Sequence, residues 1–310
     1  MADSATSAAD SSSWLGRDVL AVDDLSDGML RAVFDAAVRM RAMVEARGDS
    51  EVLKGRILAN VFYEPSTRTM CSFDAAMKRL GGQVISVSES TSSAKKGETI
   101  EDTVRCLECY CDALVLRHPQ VGTLAKAAAA ASKPVINAGD GVGEHPTQAL
   151  LDLFTMATAA VAGAPAPGGA ASADDSPVSC LGGKTLTLLG DLKHGRTTHS
   201  LALLCSKLAN PPKLLFVSPA ELAMPAGICE VLASRGVAFE QLADLALALP
   251  LTDVLYVTRV QKERFATEEE YSRVAGSYVV DAELMSKVPA QQRPNLFSVW
   301  RWHCSPPGVF

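Results

Sequence analysis

The residues with the clearest chemistry are the run Ser66-Thr67-Arg68-Thr69. An apolar stretch, Ile57–Phe62, precedes the run and an amphipathic segment follows it, which predicts a strand, a tight turn and the first turn of a helix. The amides and the positive dipole end of such a terminus suit a phosphate, and Arg68 would add a fork of donors. An ordinary Ser or Thr N-cap is the alternative, but it accounts for one hydroxyl rather than three around an arginine. We therefore predict an anion site.

Polar residues also follow the next three predicted strands. A loop of small residues and two lysines, which includes Ser92 and Lys96, comes after the second strand and is able to reach an anion, although this segment taken alone favours a solvated charged loop. Arg117 follows the third strand, and His145 and Gln148 open a helix after the fourth. Because ligands of open α/β sheets bind beyond the carboxyl ends of the strands, we expect these groups to recognise one small polar ligand.

Two arginines follow predicted strands in the second half of the chain. Arg196 closes the stretch 190–196, and Arg259 opens the stretch 259–264. For either arginine alone, a structural ion pair is the favoured interpretation. Together, at two strand ends of one domain, they favour a ligand with two carboxylates, each held by a bidentate guanidinium.

Strand-like runs alternate with helical patterns along both halves of the chain. The predicted strands are 57–62, 84–87, 113–116, 134–137, 185–189, 213–217, 238–240 and 253–258. The predicted helices lie near 67–80, 98–110, 120–131, 146–158, 196–208, 225–235 and 242–248. This βαβ rhythm predicts two parallel sheets covered by helices.

Length and composition limit the class of protein. The chain has 310 residues, of which 48% are hydrophobic, and a net charge of −6. A chain of this size predicts two domains of roughly 150 residues. The negative charge argues against a nucleic-acid surface, and the lack of an uninterrupted apolar run of about 18 residues argues against a membrane span.

Two segments of biased composition are predicted to lie outside the packed domains. Residues 1–13 are rich in Ala, Ser and Asp and have no apolar core, so we expect a disordered tail rather than a signal peptide, and a cytoplasmic protein. Residues 159–183 are rich in Gly, Ala, Pro and Ser, which predicts a flexible surface insertion. The expected domains are 14–147 and 148–310.

Eight cysteines in a chain of this length do not indicate a disulfide framework. Cys106, Cys109 and Cys111 form the one cluster in the sequence, two of them inside a predicted helix and none with a histidine close by. Buried free thiols are the favoured interpretation, and a metal site is the alternative.

Six motifs, in the same order along the chain, are similar to those of the aspartate transcarbamoylase family. They are 66–69, 95–98, 117–119, 145–152, 190–196 and 259–264. The similarity covers about residues 14 to 288, interrupted by 159–183, and looks strongest to the aspartate transcarbamoylase domain of the eukaryotic multifunctional pyrimidine-synthesis protein. It implies an α/β fold with two doubly wound parallel-sheet domains of the aspartate/ornithine carbamoyltransferase type.

The resemblance implies transfer of the carbamoyl group of carbamoyl phosphate to the α-amino group of L-aspartate, in de novo pyrimidine biosynthesis. It assigns carbamoyl phosphate to the first domain and aspartate to the second. By motif position, the residues that hold carbamoyl phosphate would be Ser66, Thr67, Arg68, Thr69, Arg117, His145 and Gln148, with Arg68, Thr69, Arg117 and His145 acting on the reacting group. The residues that hold aspartate would be Lys96, Arg196, Arg259 and Gln261.

The resemblance also implies a homotrimer with shared active sites. Ser92 and Lys96 match residues that the family inserts into the site of a neighbouring subunit, where both would bind carbamoyl phosphate. Glu64 matches a residue that bridges to arginines at the positions of Arg196 and Arg264 when the domains close. No metal or cofactor is implied, because carbamoyl phosphate is already activated, and association with other enzymes of the pyrimidine pathway is expected.

After Pro289 the sequence departs from the family pattern, which has a strand, a substrate-contacting loop of the His-Pro-Leu-Pro-Arg type and a long helix. The loop and the helix have no counterpart in this chain. Three hypotheses therefore remain: an active aspartate transcarbamoylase, a catalytically impaired isoform that still binds carbamoyl phosphate or assembles with full-length chains, and an ornithine transcarbamoylase. The loop with Lys95 and Lys96 and the run Arg259-Val260-Gln261 argue against the last.

Overall fold

The computed structural model describes residues 14–92, 96–162, 181–281, 283–284 and 295–298. It divides into two compact units, Met1–Gln148 and Ala149–Phe310. The predicted tail 1–13 and residues 163–180 of the predicted insertion lie outside the described residues.

The first unit is built on a four-stranded parallel sheet. Its elements are α1 (Asp27–Arg47), β1 (Ile57–Phe62), α2 (Thr67–Arg79), β2 (Gln83–Ser88), α3 (Ile100–Leu107), β3 (Ala113–His118), α4 (Thr123–Ala130), β4 (Val135–Asp140) and the start of α5 (Pro146–Ala162). The strand order is β2-β1-β3-β4.

Helices cover both faces of this sheet, as the nearly continuous apolar run of β1 requires. Val61 lies on one face and clusters with Val104 of α3. Its neighbour Phe62 points to the opposite face, where it clusters with Met77 of α2. Because successive strand residues alternate between faces, β1 anchors both helix layers, and each buried apolar side chain stabilises the unit by about 1.5–3 kcal/mol.

Helix α1 is absent from the predicted elements, although its ends carry standard signals. The hydroxyl of Ser26 accepts a hydrogen bond from the Met29 amide at 3.3 Å, and Gly48 ends the helix with a φ of 85°. Met29, Leu30 and Phe34 are buried, but no residue in the second half of the helix is. Apolar residues continue into the second half, but Val38 and Met40 are exposed there, so they do not extend the buried stripe and the amphipathic pattern that would predict the helix is weak.

The second unit is built on a five-stranded parallel sheet. After the rest of α5, its elements are β5 (Thr185–Leu189), α6 (Arg196–Cys205), β6 (Lys213–Val217), α7 (Ala226–Ser234), β7 (Phe239–Leu242), α8 (Leu245–Ala248), β8 (Val254–Val257), α9 (Glu268–Val274) and β9 (Asn295–Ser298). The strand order is β7-β6-β5-β8-β9, so the predicted fold of two doubly wound parallel sheets is confirmed. Strand β9 lies in the stretch after Pro289 that departs from the family motifs, and it pairs in parallel with β8.

A buried hydrogen bond holds α5 against this second sheet. The Tyr256 hydroxyl on β8 donates to Asp152 of α5 at 2.8 Å. Burial, with Asp152 beside it, raises the pKa of Tyr256 well above its ordinary value. The phenol therefore stays protonated and remains a donor at any physiological pH.

The strand order reverses at one point in each sheet. The chain places β2 on one side of β1 and β3 on the other, and it places β6 on one side of β5 and β8 on the other. A crevice forms at the carboxyl ends of the strands where such a reversal occurs. Residues 66–69 follow β1 and Arg117 is the next-to-last residue of β3, whereas His145 and Gln148 follow β4. Arg196 and Arg259 follow β5 and β8.

The prediction of buried thiols is wrong for two of the three clustered cysteines. Cys106 and Cys109 are exposed, and only Cys111 is buried. Helix α3 ends at Leu107, so Cys109 lies in the turn that follows. Cys106 lies two residues after the buried Val104, about 200° around the helix, and therefore faces outward.

Most element boundaries differ from the predictions by a few residues, and three of the differences change the assignment of a segment. Helix α5 continues to Ala162, and Leu181 is fully buried, so both ends of the predicted insertion are structured. The predicted helix 242–248 begins too early, because Phe239–Leu242 pairs with β6 as a strand.

Among the described helices, none is long and apolar enough to cross a membrane.

Candidate active site

The first turn of α2 is open to a ligand on the side of its N-cap. Ser66 has extended N-cap geometry, with φ −157° and ψ 102°, but its side chain makes no capping hydrogen bond. In α1, α3 and α9, by contrast, a Ser or Thr hydroxyl caps the helix. Thr67 is exposed, and Arg68 and Thr69 are half-buried. The structure therefore places the four predicted anion-binding residues together on one uncapped helix terminus.

Arg117 lies at the same edge of the first sheet, at the carboxyl end of β3. The register pairs it with Phe62, the last residue of β1. Its Nε lies 3.3 Å from the Glu64 carboxylate, and the two side chains are only 11% and 21% exposed. Its Nη1 also donates to the Ala138 carbonyl at 3.5 Å. The guanidinium is thus oriented from β1 and from β4 at the point where the strand order reverses.

His145 and Gln148 lie where β4 leads into α5. Both are buried, with 4% and 8% exposure. The Nδ1 of His145 lies 3.3 Å from the Thr147 hydroxyl, and the backbone amide of Gln148 donates to the His145 carbonyl at 3.1 Å. This tight turn fixes both side chains at the start of the helix. Residues 66–69, Arg117, His145 and Gln148 are named the first-unit site below.

The two predicted loop residues have different surroundings. Ser92 is half-buried, and its hydroxyl lies 3.2 Å from the hydroxyl of Tyr63, which directly follows β1. Lys96 is exposed on the segment between β2 and α3. Lys95, which belongs to the same motif, lies outside the described residues.

In the second unit, the loops after β5 and β8 touch. Gly190 has a φ of 118°, and a Cβ atom there would overlap the Thr258 carbonyl oxygen, so only glycine allows this approach. The buried carboxylate of Asp191 accepts hydrogen bonds from the backbone amide of His194 at 3.0 Å and from the backbone amide of Gln261 at 3.2 Å. One carboxylate therefore ties the two loops together.

The three predicted aspartate-binding residues of this unit lie on those tied loops. Gln261 also donates through Nε2 to the His194 carbonyl at 3.0 Å. Arg196 is 9% exposed and begins α6, whose N-cap is a glycine without a side chain to cap the helix. Arg259 is exposed. Arg196, Arg259 and Gln261 are named the second-unit site below.

A pocket lies beside the second-unit site. It has a volume of about 330 Å³ and is lined in part by Lys193, His194, Glu221, Arg264 and Phe265. The rings of His194 and Phe265 meet edge to face, with centroids 5.5 Å apart. Arg264 is the predicted domain-closure residue. Its backbone amide donates to the Gln261 carbonyl at 2.9 Å, which places it next to the loop that carries Gln261.

Two residues of this architecture are missing from the sequence-based predictions. Asp191 is part of a quoted motif, and its position directly after a strand is a signal that it serves a site, but no role is assigned to it. Tyr63 gives no such signal, because a tyrosine at the end of an apolar strand looks like any other core residue. In the part of the chain that the structure describes, no group of three or more His, Cys, Asp or Glu side chains is placed to hold a metal ion.

Two family models match most of the chain. Residues 17–158 match the carbamoyl-P binding domain of aspartate/ornithine carbamoyltransferases, and residues 182–296 match their Asp/Orn binding domain. The chain belongs to the aspartate/ornithine carbamoyltransferase family. The resemblance inferred from six motifs is therefore confirmed.

Members of this family with similar sequences include long multifunctional proteins and single-function subunits. Multifunctional protein pyr1-3 of Dictyostelium discoideum is 46% identical over 273 residues, which are 88% of this chain and 11% of that protein. The aspartate carbamoyltransferase catalytic subunit of Thermococcus gammatolerans is 46% identical over 274 residues, which are 88% of this chain and 82% of that subunit. The chain therefore spans a small part of the first relative and most of the second.

Solved structures of carbamoyltransferases share the fold. Aspartate transcarbamoylase of Trypanosoma cruzi, in complex with carbamoyl phosphate and aspartate, superposes with a TM-score of 0.79 and 34% identity over 91% of this chain and 85% of that chain. The catalytic subunit of M. jannaschii aspartate transcarbamoylase superposes with a TM-score of 0.76 and 37% identity over the same shares of the two chains.

Proposed function

We propose that this chain transfers the carbamoyl group of carbamoyl phosphate to the α-amino group of L-aspartate, giving N-carbamoyl-L-aspartate and phosphate for pyrimidine biosynthesis. The observation that carries the proposal is 46% identity to an aspartate carbamoyltransferase catalytic subunit across 82% of its length. The positions of residues 66–69 and Arg117 in the first unit, and of the second-unit site, at the two strand-order reversals support it.

Carbamoyl phosphate is assigned to the first unit. The phosphate would accept hydrogen bonds from the uncapped first turn of α2, from the hydroxyls of Ser66, Thr67 and Thr69, and from the Arg68 guanidinium. A helix terminus attracts the anion through its dipole as well as its amides, and Arg68 matches the phosphate with two parallel donors. Gln148 would hold the carbamoyl amino group, which distinguishes carbamoyl phosphate from acyl phosphates without that group.

The carbonyl oxygen of carbamoyl phosphate is assigned to Arg117, His145 and Thr69. When the aspartate amine attacks the carbamoyl carbon, the C=O bond becomes a C–O⁻ bond in a tetrahedral intermediate. That intermediate collapses by breaking the C–O bond to phosphate, which leaves with the electron pair and accepts the amine proton. Donors held in advance toward the developing oxyanion lower the barrier by about 3–4 kcal/mol each, and holding both substrates in place lowers it by up to about 7–11 kcal/mol.

Aspartate is assigned to the second-unit site. Arg196 and Arg259 would each take one carboxylate in a bidentate pair, with Gln261 beside them. Asp191 supports this assignment indirectly, because it fixes the backbone of Gln261 relative to the loop that leads to Arg196.

The assembly is proposed to be a homotrimer in a cytoplasmic pathway, with Ser92 and Lys96 reaching the site of a neighbouring subunit. Lys96 supports this proposal because it is exposed on a loop beside the first-unit site rather than packed into it. Glu64 is proposed to exchange its Arg117 partner for Arg196 and Arg264 on domain closure, and association with other pyrimidine enzymes is expected from the multifunctional relatives.

The test is a carbamoyl-transfer assay with aspartate and with ornithine as acceptors, on the unsubstituted chain and on two variants. We expect transfer to aspartate only, and we expect Arg68→Ala to lower kcat/KM by about 10²–10³-fold because it removes a charged donor from the phosphate. Arg105→Ala is the matched control, since Arg105 is an exposed arginine of the same unit that pairs only loosely with Asp102, at 3.6 Å. It should keep full activity.

Three outcomes would count against the proposal. Transfer to ornithine would contradict the assignment of the acceptor. Near-normal activity of Arg68→Ala would remove the phosphate site. Binding of carbamoyl phosphate without turnover, measured by calorimetry, would favour the hypothesis of a catalytically impaired chain.

A further inference from the structure

We propose that Tyr63 and Thr103 are positioning residues that hold both ends of the loop carrying Lys96. The inference deepens the proposed function, since Lys96 is assigned there to substrate binding. Neither residue is expected to touch a substrate. Their role is to set where the exposed lysine loop leaves the packed core of the first unit.

Four side chains form a hydrogen-bonded chain beneath this loop. The Ser92 hydroxyl lies 3.2 Å from the Tyr63 hydroxyl, which lies 3.5 Å from the Thr103 hydroxyl. Thr103 in turn lies 2.6 Å from the carboxylate of Glu98. Ser92 and Glu98 are the two flanks of the segment that contains Lys96, so this series of hydrogen bonds connects one side of the loop to the other through the core.

The hydroxyl protons in this series of hydrogen bonds can be assigned in one consistent order. Each hydroxyl has one proton to donate, and the Glu98 carboxylate can only accept. Thr103 donates to Glu98, Tyr63 donates to Thr103, and Ser92 donates to Tyr63. Thr103 also has the Thr99 carbonyl within reach at 3.0 Å, but the Glu98 carboxylate is nearer at 2.6 Å, and a charged acceptor strengthens the bond next to it.

The two central residues are anchored, whereas the flanks are not. Tyr63 and Thr103 are 6% and 5% exposed, and the Tyr63 ring is part of the apolar cluster between the sheet and α3. Its ring also meets His118 edge to face, with centroids 5.6 Å apart, and His118 directly follows Arg117. Ser92 is half-buried and Glu98 is exposed. The loop is therefore attached at two points to a rigid base that also borders the first-unit site.

A purely structural role is the competing explanation, because a buried hydroxyl needs partners whatever the loop does. The two explanations differ in where the effect of a substitution is seen. A structural hydroxyl affects the stability of the whole unit, whereas a positioning hydroxyl affects the loop and whatever depends on Lys96.

The first test compares amide hydrogen exchange and activity in hydroxyl-deletion variants. Tyr63→Phe and Thr103→Val should speed exchange in the peptide spanning 92–98 more than in the rest of the unit, and should lower kcat/KM for aspartate roughly two- to tenfold, as expected for one lost hydrogen bond. Thr103→Ser keeps the hydroxyl and should restore both readouts. Tyr110→Phe, on a tyrosine that is 61% exposed, is the control without an effect.

The second test is a double-mutant cycle with Lys96→Ala. If Tyr63 acts through the lysine loop, Tyr63→Phe should reduce kcat/KM no further once Lys96 is absent. Additive losses, unchanged exchange at 92–98 in Tyr63→Phe, or equal acceleration of exchange throughout the first unit would each overturn the inference. The exchange readout needs no substrate, so absence of carbamoyl transfer by the unsubstituted chain would refute the proposed function while leaving this test intact.

Discussion

Arg117 illustrates how one side chain is prepared for an anion. Its Nε faces Glu64, and its Nη1 faces the Ala138 carbonyl, so the guanidinium is held in one orientation before any ligand arrives. With the two partners only 11% and 21% exposed, the electrostatic interactions of the pair are screened less than those at the surface. Preorganisation of this kind lowers the cost of ordering the donor during the reaction.

Residue by residue, burial predicts which thiols react. Burial raises the pKa of the Cys111 thiol, which lowers its reactive thiolate fraction at any pH below that pKa. We expect Cys71, Cys106 and Cys109 to be alkylated by iodoacetamide on the order of tenfold faster than Cys111 and Cys205, because the buried thiols need local opening. Peptide mass spectrometry over time measures the rates, and equal labelling of all five would contradict the burial pattern.

Among the elements, the pairing of the loops after β5 and β8 is what builds the second-unit site. The loops are 70 residues apart in sequence at the bond from Gln261 to Asp191. The close approach at Gly190 and the carboxylate of Asp191 hold them in one arrangement. An arginine at each strand end would otherwise move with its own loop.

The prediction at this scale concerns Asp191→Asn. An amide group replaces one accepting oxygen with a donor, so one of the bonds to the His194 and Gln261 amides must be lost. We expect kcat/KM for aspartate to fall by about 10- to 100-fold, as for a lost charge-assisted hydrogen bond, while the affinity for carbamoyl phosphate stays the same.

Its control is Asp244→Asn, which alters a carboxylate in the same unit that caps α8 by accepting from the Ala246 amide at 2.8 Å. Because Asn caps a helix about as well as Asp, that variant should keep both its thermal stability and its kcat/KM. Equal loss of kcat/KM in the two variants would show that the effect of Asp191 is one of general stability.

For the whole molecule, shared active sites are tested by mixing two chains that each have strongly reduced activity. Arg68→Ala removes the phosphate donor, and Lys96→Ala removes the residue assigned to the neighbouring site. In a randomly mixed 1:1 trimer, about a quarter of the sites would combine an intact Arg68 with an intact Lys96 from the next chain. We expect co-refolded mixtures to recover activity that neither variant has alone.

The same experiment can contradict the trimer. If Lys96 serves its own chain, each site carries one of the two substitutions whatever the mixture, and no activity returns. Sedimentation of the unsubstituted chain provides the independent measurement of subunit number. A monomer with full activity would exclude the assignment of Ser92 and Lys96 to a neighbour.

The sequence by itself determined the order of the strands along the chain and the polar groups near their carboxyl ends, although β3 and β4 continue to His118 and Asp140, beyond the predicted 116 and 137. β1, β5 and β6 begin and end at the predicted residues, since their apolar runs and turn residues are local signals. The same local pattern placed Ser66–Thr69 at a helix terminus and Arg196 and Arg259 after strands. The roles of these residues came from the family resemblance, and they stay predictions until the variants are measured.

Only the tertiary structure decided which of these ends meet. Sequence periodicity does not encode the strand order, so the crevices at β1 and β3 and at β5 and β8 are properties of the folded sheets. The Tyr63–Ser92 and Asp191–Gln261 contacts join residues 29 and 70 positions apart, and the exposure of Cys106 depends on which face of α3 packs inward. Such contacts depend on three-dimensional packing between distant segments, which no local pattern of residues specifies.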